Sequence, residues 1–254
     1  MPAAQRAEAR ILTRVDAVIC GQPWVEATFR QLDPAIRVDW RVAEGDQVAA
    51  GAVLCELSGP ARTLLTGERT ALNFLQTLSA TATAAHRYAQ AVAGTRARIL
   101  DTRKTLPGLR LAQKYAVRVG GAHNHRTGLH DAILVKENHI VAAGGIAAAI
   151  RAGRSASPQV LLEVEVETME QAREALAAGA DRLLLDNFTP ARLAEAVALR
   201  NRLAPAITLE ASGGITLANV AAVAATGVDF VSVGSLTKDI VAVDLSMRFE
   251  FSAA

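Results

Sequence analysis

The chain has 254 residues, 51% of them hydrophobic, with 27 Lys and Arg against 25 Asp and Glu for a formal net charge of +2. That length suits either one barrel or two unequal domains, and so even a charge balance argues against a nucleic-acid coat or a membrane-surface binder. Cys20 and Cys55 are too few for a disulfide framework and lack metal-ligand spacing, and no apolar run approaches the ~20 residues of a membrane span, so a cytoplasmic protein with reduced thiols is expected.

In chain order, short alternating segments around Ile36 to Trp40 and Val53 to Leu57, joined by a Glu44-Gly45-Asp46 turn, predict a small sheet. Leu72, Leu75, Leu78, Ala82, Ala85 and Ala89 then recur at helical spacing and predict one long helix. Residues 1–95 therefore read as an α+β layer. From about residue 97 the rhythm becomes strand, loop, helix. Strands are expected at Arg98 to Asp101, Ala132 to Val135, Leu161 to Val166, Arg182 to Leu185, Ile207 to Leu209 and Phe230 to Val233. Several are continuous apolar runs, as parallel strands covered on both faces require. Helix starts are expected at Pro107, at Thr168 with Gln171 as a capping box, at Thr189 before Pro190, and near Thr216. Gly179-Ala180-Asp181 and Gly227-Val228-Asp229 form a repeated strand entrance. Six such units over residues 96–241 predict an α/β barrel that stops short of full closure.

In a barrel of this type chemistry gathers where the strands end, because the βα loops share one face. The groups at those ends are Arg103 and Lys104, Lys136, Glu165, Asp186, Ser212 with Gly213 and Gly214, and Gly234 with Ser235. His123, His125 and Arg126 lie in the same stretch as Arg103 and Lys136. Burying several cations together is costly unless an anion sits among them, so the cluster predicts a pocket for a multiply charged small molecule. Glu163, Glu165 and Glu167 alternate along one strand and share a sheet face, which calls for cations or a metal opposite them. Glu165 and Asp186, on neighbouring strands, are candidates for Mg²⁺ or sugar-hydroxyl contacts, since oxygen ligands suit magnesium better than zinc. His123 and His125 without a third ligand are weak grounds for zinc. The Ser212-Gly213-Gly214 and Gly234-Ser235 turns expose backbone N–H groups able to hold a phosphate.

Eight segments, running from Gly67-Glu68-Arg69-Thr70-Ala71-Leu72-Asn73 through Asp101-Thr102-Arg103-Lys104-Thr105-Leu106-Pro107-Gly108-Leu109-Arg110, His125-Arg126, Lys136-Glu137-Asn138-His139, Glu163-Val164-Glu165-Val166-Glu167, Leu185-Asp186-Asn187-Phe188 and Ser212-Gly213-Gly214 to Val233-Gly234-Ser235-Leu236-Thr237, occur in one order over nearly the whole chain. In that order they closely resemble the quinolinate phosphoribosyltransferase family, the carboxylating nicotinate-nucleotide pyrophosphorylases. The resemblance implies an N-terminal open-faced α/β sandwich, rejoined by the C-terminal residues 242–254, and an incomplete six-stranded α/β barrel. It implies transfer of phosphoribosyl from phosphoribosyl pyrophosphate to quinolinate with Mg²⁺, releasing pyrophosphate and CO₂ and giving nicotinate mononucleotide for NAD synthesis. By motif, Arg103, His125 and Arg126 would hold the quinolinate carboxylates, and Arg69 would reach that pocket from the other subunit of a homodimer. Lys104 and Lys136 would face the pyrophosphate and ribose, Glu165 and Asp186 the ribose hydroxyls and metal, and Ser212, Gly213, Gly214, Gly234 and Ser235 the 5′-phosphate. The family commonly carries a further N-terminal segment with an acidic Gly-Asp-x-Thr-like signature, whereas the match here starts close to Ala9-Arg10-Ile11. Two other readings stay open at this stage: a barrel lyase using Lys136 as a Schiff-base amine, and a non-catalytic anion-binding paralogue.

Overall fold

The computed structural model describes residues 5–251, which form two compact units. One unit takes the chain up to His86, Ala112–Gly121 and the stretch from Asp239; the other takes Arg87–Leu111 and Ala122–Lys238.

The first unit contains β1 (Arg6–Thr13), β2 (Ala17–Val18), α1 (Gln22–Leu32), β3 (Arg37–Trp40), β4 (Gln47–Val48), β5 (Val53–Pro60) and most of α2 (Ala61–Ala91). Its four-stranded sheet has the order β12-β1-β5-β3, with β12 being Leu245–Phe251, and every pairing is antiparallel. Residues alternate strictly along β1: Ala7, Ala9, Ile11 and Thr13 are buried, and Arg6, Glu8 and Arg10 face out. Val25 and Phe29 of α1 and Leu64, Leu72 and Leu75 of α2 belong to the core on the buried side. The outer side is charged, with Arg10 paired to Glu56 and Glu250, so the sandwich is open on that face. The Glu44-Gly45-Asp46 turn also starts α1, because the Glu44 carboxylate accepts the N–H groups of Gly21 at 2.7 Å and Gln22 at 3.0 Å.

The second unit contains β6 (Arg98–Leu100), the start of α3 (Arg110–Val119), β7 (Ala132–Val135), α4 (Glu137–Ala143), α5 (Ile146–Ala156), β8 (Leu161–Val166), α6 (Met169–Ala177), β9 (Arg182–Asp186), α7 (Pro190–Leu203), β10 (Thr208–Ser212), α8 (Val220–Ala224), β11 (Phe230–Ser232) and α9 (Ser235–Lys238). Its six-stranded sheet is wholly parallel in the order β6-β11-β10-β9-β8-β7. Among the described residues β6 and β7 do not pair with each other, which leaves the barrel incomplete.

The repeated strand entrance has a repeated structural cause. Asp229 accepts the Leu209 N–H at 2.9 Å and an Arg200 guanidinium hydrogen bond at 2.8 Å, while Arg200 also donates to the Ile207 carbonyl at 2.8 Å. Asp181 accepts the Leu162 N–H at 2.7 Å and pairs with Arg154 at 2.8 Å, and Arg154 donates to the Val160 carbonyl. In both places an arginine late in one helix ties the next strand's entrance to the aspartate that opens the strand after it. Such charge-assisted bonds hold strand register at the end of the barrel away from the strand tips.

Three local expectations change. Pro107 does not open a helix: Leu106 to Leu109 form a type II turn, with Gly108 at φ 76° and the Leu109 N–H bonded to the Leu106 carbonyl at 3.2 Å, so α3 begins at Arg110. The helix expected near Thr216 begins at Val220, because the Asn219 side chain bridges the Thr216 N–H and the Gly214 carbonyl in a preceding turn. Ala112–Gly121, read as part of the barrel, groups with the first unit, where Ala112 and Ala116 pack with Leu78, Ala82 and Val18.

Candidate active site

The parallel register carries residues of like parity to one face. Glu165 and Glu210 both stand opposite Leu184, and Ser212 stands opposite Asp186, so β8, β9 and β10 turn these groups to one face, with Asp186 and Ser212 at the strand tips and Glu210 deeper. They line a cleft of about 440 Å³, a common size for a small-molecule site. Cations come from the neighbouring segments: Arg103 and Lys104 after β6, Arg126 on the stretch that follows the His123 bridge to β6, and Lys136 at the end of β7. Lys136 also opens α4, and its Nζ lies 2.9 Å from Glu165 Oε2.

Charge density inside the cleft is visible in the ionisation of its groups. Burial, and then the Arg103 charge, hold the Arg126 guanidinium below its ordinary pKa. Burial, and then the Glu165 charge, raise Asp186, against the opposing pull of Lys136 and Lys104. An anion would relieve the first strain, and a divalent cation the second.

Below the rim sits a buried cluster that the strand tips do not reveal. Glu163 and Glu210 are fully buried, and the His125 ring is 8% exposed. His125 Nε2 is 2.9 Å from Glu163 and 3.5 Å from Glu210, Arg182 Nη1 is 3.2 Å from Glu210, and the Ser232 hydroxyl donates to Glu210 at 2.5 Å. Neither Glu163 oxygen has a well-directed hydrogen bond, so its contact with His125 is electrostatic. Burial, reinforced by the neighbouring Glu163 charge, pushes Glu210 up to about 8, which His125 and Arg182 only partly offset; burial raises Glu163 as well, against the pull of Arg182.

Ligand atoms of His125, Glu163 and Glu210 lie within 4.8 Å of one another, yet the set is better suited to a proton than to a metal. His125 Nδ1 accepts the Arg126 backbone N–H at 2.7 Å, which leaves the ring proton on Nε2, facing the carboxylates. A nitrogen carrying a proton has no lone pair for a metal. His125 was expected to touch the ligand carboxylates directly; in this structure both ring nitrogens are engaged by the protein's own groups.

The structure gathers Arg103, Lys104, His125, Arg126, Lys136, Glu165, Asp186 and Ser212 around one cleft. Gly213, Gly214, Gly234 and Ser235 are not among its lining residues, but Gly213 is shaped for close approach. A Cβ on Gly213 would fall 2.1 Å from Asn187 Oδ1, whereas one on Gly234 would make only an ordinary contact with the Lys104 side chain. Asn187 is itself at φ 56°, an uncommon conformation at the turn after β9. Arg69 is exposed on α2 in the first unit. His123 is exposed beside β6, to which it bridges at Leu100, so it does not share a pocket with His125. Glu167 is exposed beyond the end of β8 rather than sharing the interior with Glu163. Sequence reasoning missed Glu210 and Ser232. The signal for Glu210 was a lone carboxylate in an apolar run, hidden because the strand was expected to end at Leu209 when it continues to Ser212.

Comparison with known proteins agrees with this arrangement. Residues 81–248 match the family model for the quinolinate phosphoribosyl transferase C-terminal domain, and residues 1–79 match that for its N-terminal domain. The chain is 44% identical over 244 residues to a protein of Synechocystis sp. named a probable carboxylating nicotinate-nucleotide pyrophosphorylase, covering 96% of this chain and 83% of that one. It is 41% identical to the human carboxylating nicotinate-nucleotide pyrophosphorylase, covering 95% and 82%. Among solved structures, the nicotinate-nucleotide pyrophosphorylase of Francisella tularensis superposes with a TM-score of 0.93 at 44% identity, over 96% of this chain and 86% of that one. Two family models spanning nearly all of the chain, together with these relatives, establish that it belongs to the quinolinate phosphoribosyltransferase family.

Proposed function

We propose that this chain transfers phosphoribosyl from phosphoribosyl pyrophosphate to quinolinate with loss of CO₂, giving nicotinate mononucleotide and pyrophosphate in NAD biosynthesis. The observation that carries the reading is the meeting of Arg103, Lys104, Arg126 and Lys136 with Glu165 and Asp186 in a single cleft. One reactant has two carboxylates and the other three phosphoryl groups, so they repel each other unless cations lie between and beneath them.

Arg103 and Arg126 bind the quinolinate carboxylates, for which a planar guanidinium fork is the matching donor. His125 supports that face from below, with Nδ1 on the Arg126 peptide and Nε2 toward Glu163. The pyridine nitrogen attacks C1 of the ribose while pyrophosphate departs, through a transition state with oxocarbenium character. Glu165 and Asp186 stabilise the positive sugar, and Lys104 and Lys136 stabilise the leaving anion. No side-chain nucleophile is needed. Ribosylation makes the ring nitrogen cationic, which stabilises the carbanion-like centre left as the adjacent carboxylate leaves as CO₂, and that carbon then takes up a proton from water to give the product. The Ser212-Gly213-Gly214 and Gly234-Ser235 turns receive the 5′-phosphate on backbone N–H groups.

Glu165 and Asp186 are chemically suited to hold Mg²⁺, being hard oxygen donors from adjacent strands; burial first, and the Glu165 charge second, raise the Asp186 ionisation. Magnesium bound there would neutralise part of the pyrophosphate charge. The active assembly is a homodimer in the cytoplasm, in which Arg69 of one copy serves the cleft of the other. Among the described residues no helix is long and apolar enough to cross a membrane.

The test is a coupled assay with quinolinate, nicotinate and nicotinamide as rival acceptors and carboxyl-labelled quinolinate as reporter. Labelled CO₂ should appear with quinolinate only when phosphoribosyl pyrophosphate is present. Turnover of nicotinate in preference to quinolinate, or CO₂ release without the sugar donor, would overturn the assignment.

A further inference from the structure

Arg110 lies at the first position of α3 and is not among the residues lining the cleft, yet its guanidinium is spread over both loops that carry carboxylate-binding cations. Nη2 donates to the Arg103 carbonyl at 3.3 Å and Nε to the Thr105 hydroxyl at 3.3 Å, both on the loop after β6. Nη1 donates to the Thr127 carbonyl at 3.3 Å, on the loop that carries Arg126. Thr127 is held from its other side as well, because its N–H donates to Asp131 at 2.6 Å. Arg103 reaches the same loop through a 3.4 Å bond from Nη1 to the Gly128 carbonyl. The base of the two loops is fastened separately: the buried Asp101 accepts Asn124 Nδ2 at 2.6 Å and the His125 N–H at 2.8 Å.

The two loops are thus tied at the root by Asp101 and nearer the tip by Arg110. A tie is needed because Arg103 and Arg126 are like charges, and the Arg103 charge adds to burial in disfavouring the Arg126 cation. Two such groups, free to move, would part. We infer that Arg110 is a positioning residue for the dicarboxylate acceptor: by joining the Arg103 loop to the Arg126 loop at Thr127, it sets the spacing of the two guanidinium groups that grip the two carboxylates. Three acceptors in three directions suit a rigid guanidinium, and a lysine ammonium on a flexible stem reaches them in no single geometry. This rests on Arg103 and Arg126 binding quinolinate as proposed above, and it adds a residue that acts through them without touching the ligand.

The experiment compares Arg110→Lys, Thr105→Val and Arg103→Ala with the parent enzyme, measuring KM for quinolinate and for phosphoribosyl pyrophosphate, kcat, and the inhibition constant of nicotinate as a monocarboxylate probe. A spacing role predicts that Arg110→Lys raises the quinolinate KM about tenfold, with kcat and the sugar-donor KM changed less than about threefold. Nicotinate, which offers one carboxylate, should weaken by less than about threefold. Thr105→Val, which removes one of the three acceptors and leaves Arg110 in place, should raise the quinolinate KM by about threefold. With Arg103→Ala already present, Arg110→Lys should add less than about twofold, since a spacer has nothing left to space. Equal weakening of quinolinate and nicotinate, a parallel rise in the sugar-donor KM, or full multiplication of the two substitutions would overturn the inference. If Arg103→Ala leaves the quinolinate KM unchanged, the binding assignment itself fails; if it raises KM while both Arg110→Lys and Thr105→Val do not, only the positioning role fails.

Discussion

Glu210 offers a direct test of the buried cluster, through replacement by glutamine. Its carboxyl is fully buried, bonded by the Ser232 hydroxyl at 2.5 Å and approached by Arg182 at 3.2 Å and His125 at 3.5 Å, with the Glu163 carboxylate as its unfavourable neighbour. Burial first, and Glu163 second, raise its pKa from 4.5 to about 8. Between those values the folded chain keeps a proton that the unfolded chain releases, so this group's contribution is fully present below pH 4.5, is lost as pH rises, and levels off above pH 8. One such proton is worth about 1.4 kcal/mol per pH unit, and across the window the loss is on the order of a few kcal/mol. Glutamine is close in shape to the protonated acid and cannot ionise. Urea unfolding at about pH 5.5, 7 and 8.5 should therefore show parent stability falling with pH relative to Glu210→Gln, with the two most alike at the acid end. Parallel curves for the two proteins would refute the raised ionisation and with it the account of the cluster as a proton-holding floor.

If Asp186 acts as proposed, on charge developed at the sugar and through Mg²⁺, replacing it by Asn should lower kcat by about a hundredfold while changing the quinolinate KM little; steady-state kinetics over a magnesium titration would reveal it. Gly213→Ala should cost about 1–3 kcal/mol of stability and weaken the sugar donor, since the new Cβ meets Asn187 Oδ1 at 2.1 Å and φ is 92°; denaturant midpoints and the KM for phosphoribosyl pyrophosphate report on the two effects. Asp229→Asn should destabilise the barrel by about 3–5 kcal/mol, because it strands the buried Arg200. The matching Asp181→Asn should cost about 1 kcal/mol, since its side chain is 40% exposed and Arg154 can turn to water, so equal losses of melting temperature at the two sites would contradict the burial argument.

Much of this protein was readable without coordinates. The six strand positions, the helix starts at Thr168 and Thr189, and the polar groups at the strand tips follow from apolar runs, capping residues and chain order, all of which are local. The Pro107-Gly108 turn was local too, and was misread only because proline opens helices as well as turns. What the tertiary structure alone decided involves partners far apart in the chain. His125 meets Glu163 and Glu210 because folding brings three segments far apart in the chain together inside the barrel, and burial, which no local pattern reports, is what holds a proton there. Arg110 joins two loops whose proximity exists only after the chain following α3 has returned alongside β6. Sequence periodicity tells a side chain which face to take; only the folded backbone tells it what stands opposite, and the energies of charges depend on that distance.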